Sequence, residues 1–262
     1  EDDAPEIGSV PTTFTKKVLI EEFTGTWCGY CPQGAYHLEN IIESNDGNVI
    51  GVSLHSDDMM SIDQTDYLGS LYQSFSFPSG MVDRYSNHSS VSIGMGSWEG
   101  DALKQLTKVA NCGLAIKSEV TGSLANVEVH VGFNVSLAGD YRLNVYLIEN
   151  NVTGEGSGYD QVNFYNSNPD SPFYGLGNSI EGYEHNNTLR AVLSSRSGDE
   201  INSASILESG EDITSTYNID ISSYDKKNLS VVAFILLVGS DYKDHEVLNV
   251  QKCDINSLQD WD

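Results

Sequence analysis

The sequence predicts an α/β unit followed by an all-β unit. Three observations carry that prediction. The first half runs strand–helix–strand, which implies parallel pairing in one sheet. The second half alternates apolar and polar residues with period two and has almost no helical spacing. Between the first strand and the first helix stands a Cys-X-X-Cys pair.

Taken in order, residues 1–13 are polar, contain two prolines and read as a flexible tether. The run from Val18 to Phe23 reads as a buried strand, and Thr24-Gly25-Thr26 turns the chain. Pro32 suits the first turn of a helix, where a missing N–H is tolerated. Ala35, Leu38, Ile41 and Ile42 continue that helix, and Asp46-Gly47 ends it. Val49 to Leu54 reads as a second buried strand. Tyr67, Leu68, Leu71, Tyr72 and Phe75 are helically spaced, and Met81 to Asp83 reads as a short strand. Ser97 is placed to cap a helix with Trp98, Ala102, Leu103, Leu106, Val109 and Ala110 on one face.

After Cys112-Gly113 the character changes. Val127, Val129, Val131, Phe133 and Val135 alternate with polar residues, as do Leu143, Val145 and Leu147, and then Tyr217, Ile219 and Ile221. Seven or eight such runs predict an antiparallel, immunoglobulin-like sandwich over 113–262. The stretch 150–187 is rich in Gly, Asn and Ser and reads as long loops.

Composition narrows the function. The chain has 262 residues, with 13 Lys and Arg against 38 Asp and Glu, a net charge of −25. Acids exceed bases in both halves, so the acidity is a surface property and not a tail. Such a surface repels phosphate backbones and anionic lipid, which excludes nucleic acid as a partner. No apolar run approaches the roughly 20 residues of a membrane helix. Four cysteines are too few for a disulfide scaffold at this length.

The most specific signal is Trp27-Cys28-Gly29-Tyr30-Cys31-Pro32. As a zinc half-site it lacks a second pair, since Cys112 and Cys253 are isolated. As a redox pair it has physical sense. A Cys at a helix N-terminus has its thiolate stabilised by free N–H groups and the helix dipole, and a second Cys one turn inward can resolve a mixed disulfide. No metal or organic cofactor is expected; the redox group is the Cys28–Cys31 disulfide itself.

Here residues 14–112 resemble the thioredoxin superfamily. The resemblance implies a buried acid six positions before the first Cys, at Glu22, although Glu21 competes for that face. It also implies a Trp before the dithiol, at Trp27, and a cis-proline facing it, at Pro78. Phe77 to Arg84, Tyr183 to Arg190 and Val247 to Gln251 narrow the likeness. They resemble the twenty-eight-kilodalton outer-membrane-protein-related family of Bacteroidetes, exported and usually lipid-anchored proteins. That resemblance implies a location in the cell envelope, periplasmic or outer-membrane associated, while the set of Glu22, Trp27, the dithiol and Pro78 favours a thiol–disulfide oxidoreductase. Its partners would be protein thiols or disulfides and a redox partner, and it would meet the membrane only through an N-terminal lipid anchor. Cys28, Cys31, Glu22 and Pro78 would be catalytic, and Trp27, Tyr30, Phe77 and His55 would contact substrate. The alternative is a surface binding or structural lipoprotein in which the dithiol is a static disulfide. A disulfide between Cys112 and Cys253 and two separate buried thiols remain equally open.

Overall fold

The computed structural model describes residues 6–86, 88–201 and 206–262; residues 1–5 of the expected tether lie outside them. The first half contains β1 (Val18–Thr24), α1 (Cys31–Ser44), β2 (Val49–His55), α2 (Asp63–Leu71), β3 (Ser79–Val82) and α3 (Trp98–Leu106). A hairpin follows, β4 (Cys112–Thr121) and β5 (Leu124–Phe133), then β6 (Leu137–Ala138) and β7 (Asp140–Glu149). A long excursion holds β8 (Gln161–Val162) and β9 (Ser179–Ile180). It returns into β10 (Thr188–Val192), β11 (Asp199–Glu200) and β12 (Ile206–Leu207). The chain closes with β13 (Asp212–Asp220), β14 (Leu229–Val238), β15 (Glu246–Asp254) and β16 (Leu258–Gln259).

One mixed sheet of eight strands dominates, in the order β15-β14-β7-β10-β2-β1-β3, with β11 also on β7. β2 is parallel to both β1 and β10, and the other pairings are antiparallel. A four-stranded antiparallel sheet, β13-β5-β4-β16, is separate. The main sheet crosses residue 112, where the sequence changes character. Strands β7, β10, β14 and β15 leave the expected C-terminal sandwich and hydrogen-bond into the sheet begun by β1–β3. Sequence periodicity shows which face a strand buries, and it carries no information about which edge the strand joins.

The two faces of β7 and β14 explain their composition. Leu143, Val145, Leu147, Val231, Ala233 and Ile235 face the four-stranded sheet and pack on Ile116, Val127, Val129 and Val131. Tyr146, Ile148, Val232, Phe234 and Leu236 face the other way and pack with Leu19, Phe23, Leu68 and Tyr72. Strands buried on both faces read as unbroken apolar runs, as Val231 to Val238 does. A third cluster seats Leu38 and Ile41 of α1 and Trp98 and Ala102 of α3 on Val18, Ile20, Val49 and Val82. Ser97 stands at the N-cap of α3 but makes no side-chain capping bond.

Residues 6–13 do not hang free. Gly8 N donates to Asp260 Oδ1 at 3.0 Å, and Trp261 Nε1 donates to Gly8 O at 2.8 Å. Asn249 ties two segments to β15. Its Oδ1 accepts from Lys17 N at 2.8 Å, and its Nδ2 donates to Thr15 O at 3.0 Å and to Cys112 O at 2.8 Å. That contact also explains why Cys112 and Cys253 are two separate buried thiols and not a disulfide. β15 passes Cys112 at Asn249, so Cys253 lies four residues onward, about 13 Å along a strand. A disulfide needs Cα atoms within about 7 Å. Burial pushes the Cys112 thiol up to about 12 and Cys253 up to about 11, so both are poor nucleophiles.

The seam between the first strands and the later ones holds a buried ion pair. Arg84 grips Glu21 through two bonds of 2.7 Å, and its Nη2 donates to Tyr146 Oη at 3.0 Å. The guanidinium also lies 5.4 Å from the ring centre of Tyr72 and 5.1 Å from that of Phe234. A buried pair of this kind is not a large net stabiliser, but breaking it strands a charge. Arg84→Met should destabilise the protein by about 3–5 kcal/mol, and Glu21→Gln combined with Arg84→Met by clearly less. Urea titrations of both variants check this; equal losses would show that Glu21 is not held by Arg84.

Candidate functional site

Cys28 and Cys31 form a disulfide with Cα atoms 5.4 Å apart. The loop from β1 places them. Cys28 N donates to Gly25 O and Cys31 N to Cys28 O, both at 3.1 Å, winding a turn before the helix. α1 begins at Cys31, with Pro32 following in its first turn. Cys28 thus sits in the turn ahead of the helix, one step earlier than expected, and Cys31 is the first helical residue. Cys28 is 5% exposed and Cys31 1%, so Cys28 is the more exposed residue of the pair.

Glu22 is buried beneath this pair. Residues 21 and 22 alternate across β1, so each acid takes its own face: Glu21 meets Arg84, and Glu22 faces α1. Glu22 is paired in register with Ser53 of β2 and Gly80 of β3. Ser53 Oγ lies 3.5 Å from Glu22 Oε2, and Oε1 has no hydrogen-bond partner. Burial pushes the Glu22 carboxyl up to about 8; the Ser53 bond opposes this slightly and the charge of Glu39 adds to it. Glu22 is therefore a neutral acid near pH 7. Gly34 of α1 leaves the room it needs, since a Cβ there would collide with Glu22 Oε1 and stand 2.8 Å from Pro78 Cβ.

The Phe77–Pro78 peptide bond is cis. Phe77 packs 5.2 Å from Trp27, and Trp27 Nε1 donates to Ser56 O at 2.8 Å. Trp27 and Tyr30 remain 45% and 55% exposed. His55 is buried, unlike Trp27 and Tyr30. It ends β2 fully covered, with Nδ1 2.7 Å from Asp58 Oδ2, and that carboxylate also accepts from Thr26 N at 3.0 Å. The pair braces the dithiol loop from below.

The excursion between β7 and β10 supplies residues that the sequence did not single out. Val162 N donates to Thr26 O at 2.8 Å and Phe164 N to Gly29 O at 2.9 Å, so this strap pairs with the dithiol loop. The Gln161 amide is buried at its centre. Its Nε2 lies 3.0 Å from Cys28 O, 3.2 Å from Thr26 O and 3.4 Å from Gly25 O. Phe164 covers Gly29, where a Cβ would strike its ring, and meets Tyr30 edge-on at 5.1 Å. A cavity of about 180 Å³ lies between strap and helix, lined by Glu22, Cys31, Glu39, His55, Tyr183 and His185 among others. Burial lowers His185 to about 4, helped by His55; its Nε2 lies 2.8 Å from Tyr159 O. Glu39 is raised by burial, while accepting a bond from Asn187 at 2.8 Å. The hint available in sequence was the Tyr183 to Arg190 segment; Gln161 carried no signal.

Among the described residues, no three His, Cys, Asp or Glu side chains gather as a metal site. The site itself offers a disulfide at a helix start, with a buried acid and a cavity beneath it.

The model of the outer membrane protein Omp28 family matches residues 65–259. Among solved structures, HBP35 of Porphyromonas gingivalis superposes with a TM-score of 0.73 at 22% identity, covering 93% of this chain and 76% of that one. Protein AGR_C_4864 from Agrobacterium tumefaciens superposes with a TM-score of 0.55 at 14% identity, covering 97% of each chain. At such identities the likeness is one of fold. No curated protein matches the chain. The chain belongs to the Omp28 outer membrane protein family, which points to the cell envelope. No helix among the described residues is long and apolar enough to cross a membrane.

The raised carboxyl of Glu22 has a thermodynamic signature. Its folded pKa of about 8 exceeds the ordinary value of 4.5, so the folded state holds a proton that the unfolded chain releases. Stability from this group is complete below pH 4.5 and falls as pH rises towards 8. Glu22→Gln should flatten that slope. Denaturant midpoints at pH 5, 6, 7 and 8 check it; an unchanged slope in the variant would place the titration elsewhere.

Proposed function

We propose that this Omp28-family protein is a thiol–disulfide oxidoreductase of the bacterial envelope, acting on protein thiols or disulfides through Cys28 and Cys31. The observation that carries the proposal is the neutral, buried Glu22 beneath a disulfide that opens α1. A disulfide serving only as a brace has no use for a proton donor held there. The thioredoxin-like reading of the first half agrees with the strand–helix–strand order and with cis-Pro78 beside the pair. The expected lipid anchor belongs to the same proposal.

The exchange balances without a cofactor. A substrate thiolate attacks Cys28 Sγ, the Cys28–Cys31 bond breaks, and the electron pair leaves on Cys31. Glu22 is placed to protonate that thiolate. A second substrate thiolate then attacks the substrate sulfur of the mixed disulfide, the bond to Cys28 breaks and its electron pair leaves on Cys28. Two electrons have passed to the protein, and Cys28 and Glu22 take up from solvent the two protons that the substrate thiols released. The reverse sequence reduces a substrate disulfide, with Cys28 attacking and Cys31 resolving.

One observation favours the alternative of a static disulfide: the strap pairs directly with the dithiol loop and leaves little of Cys28 exposed. Turnover separates the two readings. With insulin or a model dithiol peptide, Cys28→Ser should abolish exchange, Cys31→Ser should trap a mixed disulfide at Cys28, and Glu22→Gln should slow exchange about 100-fold. Full activity in Cys28→Ser would remove the dithiol from the chemistry.

A further inference from the structure

The segments that build the dithiol face share an electrostatic property that the rest of the chain lacks. From Val18 to Asp83 there is no Lys or Arg, and from Leu143 to Leu189 there is none either, although the chain carries 13. The first stretch supplies β1, α1, β2, α2 and β3, and the second supplies the strap. Acids are present throughout both. Asp57 is exposed in the loop whose Ser56 carbonyl holds Trp27. Glu155 is exposed in the turn whose Ser157 carbonyl accepts from Thr26 Oγ1 at 3.3 Å. Asp160 stands half-exposed directly before Gln161.

The same face carries exposed aromatic rings on both sides of the disulfide. Trp27, backed by Phe77, forms one flank. Tyr30 and Phe164 form the other, with Phe164 61% exposed. The strap covers the Gly29 side by pairing with it, which leaves the two aromatic flanks as the exposed groups next to the dithiol. Aromatic faces within an anionic field attract Lys and Arg twice over, through the ring quadrupole and through the summed charge.

We propose that the partner is an extended, basic, cysteine-bearing segment of another protein, seated between the Trp27–Phe77 and Tyr30–Phe164 flanks. This rests on the thiol–disulfide reading and adds the substrate class to it. The segment's thiolate meets Cys28 Sγ, its neighbouring Lys or Arg side chains lie over the rings, and their charge faces Asp57, Glu155 and Asp160. An acidic segment of the same length is repelled by the same field.

Single-turnover reduction of the Cys28–Cys31 disulfide tests this, with three probes. Two are synthetic dithiol peptides that are identical except for flanking Lys or flanking Glu residues; the third is dithiothreitol, which is neutral. At about 10 mM salt, where screening reaches roughly 30 Å, the Lys peptide should react at least about 10-fold faster than the Glu peptide. At about 1 M salt, where it reaches roughly 3 Å, the gap should close. Asp57→Lys combined with Glu155→Lys should narrow the gap at low salt. Equal peptide rates at low salt, with dithiothreitol reducing the disulfide normally, would overturn the substrate class and leave the exchange reading standing. If dithiothreitol reduces the disulfide and neither peptide does, protein thiol exchange fails, and this inference fails with it.

Discussion

Two neighbouring glutamates on one strand set the terms for the rest of the molecule. Glu21 and Glu22 point to opposite faces of β1, and both are wholly buried. A buried carboxylate is tolerated only if it is paired or neutralised. Glu21 is paired, by an arginine that the chain brings back through β3 and seats against Tyr146 and Phe234 of later strands. Glu22 is neutralised by burial, with Ser53 its side-chain hydrogen-bond donor among the described residues. The first arrangement fastens the early strands to the later ones; the second places a proton under the dithiol.

The later strands do more than add mass. By entering the sheet through β10 beside β2, they position the strap that emerges between β7 and β10. The strap donates backbone bonds to Thr26 and Gly29 of the dithiol loop. The site is thus a product of the whole chain, which agrees with a fold likeness to HBP35 that covers 93% of this chain. The arrangement also explains why the face is anionic. Its two sources, Val18 to Asp83 and Leu143 to Leu189, are the two long stretches without a basic residue.

What the sequence disclosed follows from range. Val18 to Phe23, Val49 to Leu54 and the spacing Ala35, Leu38, Ile41 are local patterns, and they fold as local patterns predict. The dithiol, Trp27 and Pro78 lie close to those elements and were legible with them. The partner edge of β7 was not, because alternation encodes a buried face and β7 has two. Gln161 was invisible because its role depends on carbonyls more than 130 positions away. The place of His55 at a strand end suited a neighbour of the dithiol and a surface group equally; Asp58 and His185 bury it, and it lines the cavity with Cys31. The pairing of Cys112 with Cys253 was undecidable without knowing where β15 crosses β4, and Asn249 marks that crossing.

The central claim is that Cys28–Cys31 is a working redox couple and not a brace. The direct measurement is its reduction potential in the intact protein, by equilibration with glutathione or dithiothreitol buffers and counting of alkylated thiols. The account predicts a value above about −300 mV, in the range where protein dithiols exchange with one another. A value below about −300 mV, with the disulfide resisting reduction while the protein stays folded, would mark a structural bond and contradict it.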